Sequence, residues 1–535
     1  MKIFRKILFF TTIFVLIYAL CAMNNGTDRD LWHRLAVGQI FWQTGTVLNH
    51  DIFAYTPVKN IWVDHEWGSG VIFYSLARLA GDYGLIFLKI FSLFAVIIII
   101  YATNKLISSK NDSFKIGFYT ISIFAILVGF QSTVRSHIFT YLFFTLWIYL
   151  LERIRRNKNT TLKRHLKYIW IFPATMLLWT NLHGGFIAGF GLLGIYIVGE
   201  FLNKKNPLIY LIILAMSLPV TLINPYGLKF WDYMITAVTM PRPYITEWKP
   251  LNLFAPFIEF IAFKLLLLIT LFGWGYKILS KSRKINMNKF EYQNSSYRLD
   301  WTGAILLAVT LYLSIRHQRH VVFFAISASI FSYQYFYEAI NAIYKRFTEK
   351  YWNLLSLNHQ KLVSFTAKSI VFINIIVIGV FIGINNPLII SVTNTDYPTK
   401  AVEFIKLNNI KGNLLVPFNW GSYALWKLYP QCKVSIDGRY EETYPDSVYK
   451  EVTDFAFYNK DWDKVLKKYH NDIILMPLDS ETYKELKKLK EWKVIYQDKC
   501  STVFIPASVS SENWKMPDKN IDYSKTKFCT CHRKF

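Results

Sequence analysis

Apolar residues along this chain come in long blocks separated by short polar connections. Eleven runs reach membrane-crossing length, roughly 17 to 25 residues each, with shorter ones in the interior of a bundle. They fall near 7–23, 85–104, 116–130, 137–151, 168–182, 184–202, 207–223, 257–277, 299–315, 320–340 and 363–387. The pattern predicts an α-helical polytopic membrane domain over residues 1–388. Residues 24–84 form a long first loop, in which Trp32, Leu35, Ile40, Phe41 and Trp42, then Trp62, Trp67, Ile72, Phe73 and Leu76, recur at helical spacing. Such helices are expected to lie along the membrane face.

From about 389 the apolar runs shrink to a few residues and alternate with amphipathic stretches. The spacing predicts helix 399–407, strand 413–417, helix 421–428, strand 433–437, helices to about 468, strand 472–476, helix 480–489, and strands 492–496 and 502–505. That alternation implies an α/β domain over 389–508. Residues 509–535, including "SSENWKMPDKNIDYSKTKF", read as a tail.

Composition agrees: the 535 residues are 53% hydrophobic and 18% aromatic, too apolar for a soluble protein of this length. The net charge of +26 would suggest nucleic acid in a soluble chain. Here the cations gather in "ERIRRNKNTTLKRHLK", "NKKNP", "KILSKSRKINMNK" and "YKRFTEK", between apolar runs, where they set membrane orientation. With the amino terminus inside, every inner loop is basic, and the first loop and the α/β domain are extracytoplasmic. Residues 1–23 carry a basic start and an apolar core with no A-x-A-like cleavage site, so an uncleaved signal anchor is expected. The five cysteines make no CxxC pair and no disulfide framework, leaving "CTCH" as a minor metal or cross-linking motif.

This topology puts the unusual polar residues on one face. "TDRDLWHR" holds Asp28, Asp30, His33 and Arg34, and "VDHEW" holds Asp64, His65 and Glu66. Arg135 and His137 lie in "QSTVRSH", Asn181 and His183 in "WTNLHGGF", Glu247 in "ITEWKP", and Arg316, His317, Arg319 and His320 in "SIRHQRH". Each has an ordinary explanation. Thr27 and Asp30 resemble a capping box, arginines at span ends snorkel, and histidines cap helices. Together they suggest a site, because ionisable groups at a membrane edge are costly. The arginines and histidines suit a phosphate, while Asp28 and Asp30 suit a proton transfer or a hard cation, Mg or Mn. Asp437 and Arg439 follow a strand, so a ligand site and a plain Asp-Gly turn are both open.

A first span, an acidic long loop, many further spans and an outer carboxy-terminal domain resemble the GT-C superfamily of membrane glycosyltransferases. "DRDLWHR" is similar to the D-x-W-x-H-x-R type of first-loop motif in oligosaccharyltransferase catalytic subunits, shorter by one residue. The further motifs "TGTVLNHDIFAYT", "NLHGGF", "NPYGLKFW", "RHQRHVVFFA" and "FNWGSYALWKLYPQCKVSIDGRYEETYP" resemble an uncharacterised bacterial group of GT-C type, up to about residue 505. The resemblance implies a sugar donor carried on a polyprenyl phosphate and an acidic first-loop residue as base or metal ligand, Asp30 first and Asp28 second. It also implies a glycan, lipid or protein acceptor. "NWGSY" stands where oligosaccharyltransferases carry WWDYG, without the Trp pair or the Asp, so sequon recognition is not expected. Two other classes stay open: a non-catalytic GT-C-like scaffold, and a lipid-carrier or glycan transporter, which would show inverted repeats and mid-span charges.

Overall fold

The computed structural model describes residues 2–108, 115–156, 168–240, 242, 245–256, 258–284, 299–351, 373–385, 388–393, 396–510 and 513–518. The stretches 157–167 and 285–298 of two basic inner loops, the start of the run at 363–387, and "CTCH" lie outside them.

The membrane part comprises α1 (Lys2–Met23), α2 (Arg29–Thr44), α3 (Trp67–Ala80), α4 (Asp82–Ile107), α5 (Lys115–Leu127), α6 (His137–Arg156) and α7 (Ile171–Leu182). It continues with α8 (Ile187–Leu202), α9 (Leu208–Val220), α10 (Leu228–Thr239), α11 (Ile261–Lys284), α12 (Trp301–Arg316), α13 (Val321–Phe331), α14 (Tyr333–Tyr351) and α15 (Ile373–Asn385). Among the described residues, four helical stretches are long and apolar enough to cross a membrane, Lys6–Met23, Asp82–Ile107, Gly184–Leu202 and Ile261–Ser280, with shorter apolar helices beside them. The run read as one span at 320–340 breaks at Ser332, between α13 and α14. Helix α6 carries His137 at one end and Arg155 at the other; at 1.5 Å per residue its length is about 30 Å, a bilayer core. Around Arg155, the carboxylates of Glu152, Glu200 and Asp300 converge at 3.1, 2.6 and 2.5 Å. These charges end three helices together and leave the opposite ends free for other chemistry.

The carboxy-terminal part comprises α16 (Thr399–Leu407), β1 (Gly412–Leu415), α17 (Phe418–Leu428), β2 (Cys432–Val434), α18 (Tyr440–Thr443), α19 (Asp446–Ala456) and α20 (Lys464–Lys468). Then follow β3 (Ile473–Pro477), α21 (Glu481–Leu486), β4 (Trp492–Gln497) and β5 (Ser501–Pro506). The sheet order is β2-β1-β3-β5-β4, with β1 parallel to β2 and β3, and β5 antiparallel to β3 and β4. Helix α17 is the crossover that parallel neighbours β1 and β2 require. Ile473 to Met476 are buried throughout, as a central strand covered on both faces must be.

The first loop joins the two parts. Ala54 bridges to Val434, with Val434 N donating to Phe53 O (3.0 Å) and Tyr55 N to Val434 O (3.2 Å), so the loop lies along the open edge of β2. Helix α2 departs from the expectation that it rests on the membrane face: residues Leu31 to Gly38 are buried between α3 and α17. Glycines explain the close fit. A Cβ on Gly38 would overlap the carbonyl of Gly70 in α3, and one on Gly70 would crowd the carbonyl of Arg34 in α2. The beginning of the expected tail is also packed: Trp514 lies 5.9 Å from Phe404, and Asn408 exchanges hydrogen bonds with the Lys515 backbone (2.8 and 2.9 Å).

Candidate functional site

The acidic motif is placed by its backbone. Thr27 does not cap α2; its hydroxyl donates to Ser391 O (2.7 Å), and Asp28 takes the cap, accepting from Asp30 N (2.9 Å). A carboxylate two residues before the helical Asp30 can do this because its own backbone is extended. Further ties hold the approach: Thr133 N donates to Gly26 O (2.9 Å), and Lys89, buried in α4 and absent from the sequence reading, donates to the carbonyl of Asn24.

Asp28 and Asp30 both meet Arg135. Its Nε lies 3.2 Å from Asp28 Oδ2, its Nη2 3.0 Å from Asp30 Oδ2, and its Nη1 2.8 Å from Glu247 Oε2. The other oxygen of Glu247 faces Arg319 at 3.5 Å. Trp248 is sandwiched between the guanidinium groups of Arg319 and Arg242, each 4.5 Å from its ring centre. Arg242 is anchored by Glu441 of α18 (2.7 and 2.8 Å), which straps the 240–251 segment to the carboxy-terminal part. Burial raises the Asp28 carboxyl to about 7 against the pull of Arg135. Glu247 goes the other way: burial opposes ionisation, yet Arg135 and Arg319 hold it at about 2.

A second cluster sits on the same cavity. Arg34 pairs with Asp64, with Glu66 (3.0 Å) and with Glu442 (3.3 Å), while His65 Nδ1 lies 2.9 Å from Glu442 and His183 Nε2 lies 3.3 Å from Glu66. Burial would discharge His65, but Glu442 and Glu66 lift it to about 10; Glu442, despite its own burial, falls to about 2 beside His65 and Arg34. His33 is buried with Nδ1 3.2 Å from Ser422 Oγ, and burial and Arg34 hold it at about 4, so it is neutral near pH 7. It shares α2 with Asp30 but faces α17 rather than the arginines.

These residues line one cavity of about 1400 Å³ between the membrane helices and the carboxy-terminal part. Its polar wall holds Asp28, Asp30, His33, His65, Glu66, Arg135, His137, His183, Glu247, His317, Arg319 and His320. Its apolar wall includes Leu192, Leu306, Leu313, Val238 and Val309, of which Val238 and Val309 are 58% and 38% exposed.

Two expected members are elsewhere. Asn181 accepts from Trp67 Nε1 (2.9 Å) and donates to Leu177 O and Ile223 O, so it ties helix ends together. Arg316 is exposed at the last turn of α12 and absent from the lining; the chain leaves the helix at His317 (φ −147°), turning only Arg319 inward. Arg439 is at the cavity wall, and its fully buried guanidinium pairs with Asp437 (2.6 Å) and Asp51 (2.6 Å) between the rings of Phe53 and Trp62. Arg242, Trp248, Tyr233 and Glu442 also line the cavity and are not singled out by the sequence, although Trp248 stands in "ITEWKP", Glu442 in "GRYEETYP" and Arg242 between two prolines.

A hard cation is not accommodated by this arrangement. Among the described residues no three His, Cys, Asp or Glu side chains converge for a metal, and Arg135 occupies the space that Asp28, Asp30 and Glu247 share. Mg or Mn at Asp28 and Asp30 would have to displace that guanidinium.

The charge network makes stability pH-dependent. Asp437, Glu247 and Glu442, held at about 2, bind fewer protons folded than unfolded. Their stabilisation is complete above the ordinary carboxylate range and lost as pH falls toward 2. His65, raised to about 10, stabilises fully below its ordinary 6.5 and loses that as pH rises through 10. Asp28, raised to about 7, acts like His65 in sign, one carboxyl against three. The melting temperature in nanodiscs should therefore fall between about pH 4.5 and 3, where the three carboxylates outweigh Asp28; equal melting at pH 4.5 and 3 would refute the network.

No protein-family profile and no curated protein matches the chain. Solved structures do. The oligosaccharyltransferase of Archaeoglobus fulgidus, tethered to an acceptor peptide with an NVT sequon, superposes with a TM-score of 0.55 over 95% of this chain and 75% of that one, at 11% identity. The chain has the GT-C fold. The archaeal oligosaccharyltransferase AglB from the same organism, with an inhibitory peptide and dolichol-phosphate, gives 0.53 over 87% and 69% at 11% identity. ArnT from Cupriavidus metallidurans, bound to undecaprenyl phosphate, gives 0.52 over 94% and 98%, also at 11%. At such identity the GT-C likeness concerns shape; it agrees with the apolar helices in making this an integral membrane protein.

Proposed function

We propose that this GT-C protein is a membrane glycosyltransferase moving a sugar from a polyprenyl-phosphate-linked donor to an envelope glycan, lipid or protein acceptor, by inversion. The observation that carries the reading is the cavity, which sets the first-loop carboxylates and the Arg135–Arg319 pair against an apolar wall. An amphiphile with an anionic head fits such a space. The solved neighbours that hold dolichol-phosphate and undecaprenyl phosphate support this.

In this reading Asp30, 45% exposed with one oxygen on Arg135, is the base. The acceptor's O–H or N–H proton passes to its carboxylate as the acceptor atom bonds to the anomeric carbon. The carbon–oxygen bond to phosphate breaks, and its electron pair stays on the phosphate, where Arg135 and Arg319 stabilise it. Asp28 caps α2 and fixes Arg135. His33 and the His65–Glu66–His183–Glu442 cluster face sugar or acceptor.

The same proposal takes eleven spans, a membrane domain over 1–388, an α/β domain over 389–508 and a tail from 509. It places that domain and the cavity outside the cytoplasmic membrane, supported by the basic side chains beside Arg155 at the far end of α6. Native mass spectrometry of delipidated protein tests the donor. Undecaprenyl phosphate should be retained, Arg135→Gln should retain it about tenfold less, and the neutral undecaprenol should not compete. Equal retention of the neutral alcohol would overturn the reading. Retention without any transfer would favour a scaffold or lipid-carrier transporter.

A further inference from the structure

Glu247 joins two of the arginines that line the cavity. Its oxygens reach Arg135 at 2.8 Å and Arg319 at 3.5 Å, which is how a phosphoryl group would bridge them. We propose that Glu247 is a built-in occupant of the phosphate seat, displaced when the donor binds. The inference rests on the function proposed above and adds an internal competitor to it.

Charge favours displacement. Asp30 and Glu247 already balance Arg135 and Arg319, and Asp28, raised to about 7, adds part of a further negative charge. An added phosphodiester would worsen the imbalance in a partly desolvated site, whereas exchange for Glu247 leaves it unchanged. Both cations stay in place after the exchange. Arg135 keeps Asp28 and Asp30, and Arg319 keeps the face of Trp248.

Glu247 is also free to leave. Its side chain is 32% exposed and lies in a single turn, Thr246–Trp248. The flanking strap is held without it: His317 Nδ1 lies 2.6 Å from Trp248 O, Gln318 N donates to Lys249 O (3.1 Å) and Leu251 N to Ile315 O (2.9 Å).

A site filled by its own side chain binds ligand in proportion to the fraction of time it is vacant. Undecaprenyl phosphate titrated into nanodisc-embedded full-length protein should therefore bind Glu247→Gln about tenfold more tightly than wild type if the seat is filled nine-tenths of the time. Glu247→Ala should behave alike, and both should still unfold in one cooperative transition, at a lower temperature than wild type because the pairs with Arg135 and Arg319 are lost. In an Arg319→Gln background the gain should shrink, which a loop-packing role for Glu247 would not produce. Wild-type binding that needs Arg319, with Glu247→Gln equal or weaker, overturns the occupant and leaves the donor reading standing. No binding by any variant overturns both.

Discussion

Asp30→Asn is expected to reduce sugar transfer by about 10² to 10⁴-fold while leaving melting temperature and undecaprenyl-phosphate binding close to wild type, if the carboxylate serves as the base proposed above. Asparagine keeps the shape and accepts from Arg135 Nη2 as the carboxylate does at 3.0 Å. What it loses is the capacity to take a proton. Asp28→Asn should be milder in chemistry and harsher in structure, because Asp28 carries the α2 cap and the Arg135 Nε contact. The measurement is initial rate against acceptor concentration with a defined polyprenyl-phosphate sugar, repeated in a chelator. Transfer should survive the chelator because Arg135 stands where a metal would. Loss restored by Mg or Mn would instead assign Asp28 and Asp30 to a metal, and undiminished transfer by Asp30→Asn would remove Asp30 from the reaction.

Arg439→Met should be the most destabilising single change in the carboxy-terminal part, at about 3 to 5 kcal/mol. The guanidinium is fully buried, so its loss leaves Asp437 and Asp51 without their counter-charge. Tyr444 would still donate to Asp437 (2.7 Å), too little to offset a buried carboxylate. The triple variant Asp51→Asn, Asp437→Asn, Arg439→Met should regain most of the loss, since no charge then stays unpaired. Thermal melts of the three proteins decide it; a single variant that melts as wild type does would show the pair to be dispensable.

Periodicity made most of the fold legible. The strand and helix pattern from 399 to 506 follows from short β-branched runs alternating with amphipathic ones, and the structure reproduces its order. Burial by a distant partner was not legible. Helix α2 reads as amphipathic, but Gly38 facing Gly70 lets α3 cover the side that the pattern leaves polar or small. The site divides in the same way. Asp28, Asp30, Arg135, Glu247 and Arg319 stood out as ionisable groups at span ends and do converge. Glu442 and Arg242 escaped because their partners lie some 200 to 400 residues away, Glu442 on Arg34 and Arg242 on Glu441. Arg316 and Arg319 look equivalent as letters; the backbone turn at His317 separates them.

The loop lying on the edge of β2 has a consequence for exchange of parts between relatives. Residues 51–56 supply the neighbour that β2 lacks on its outer side, and Asp51 supplies a counter-ion to a buried arginine of the domain. The domain is therefore not a cassette: cut at 388, it would expose an open strand edge and an arginine short of a partner. A chimaera that imports a foreign domain should fold only if it imports the matching stretch of the first loop as well, although the two segments lie nearly four hundred residues apart.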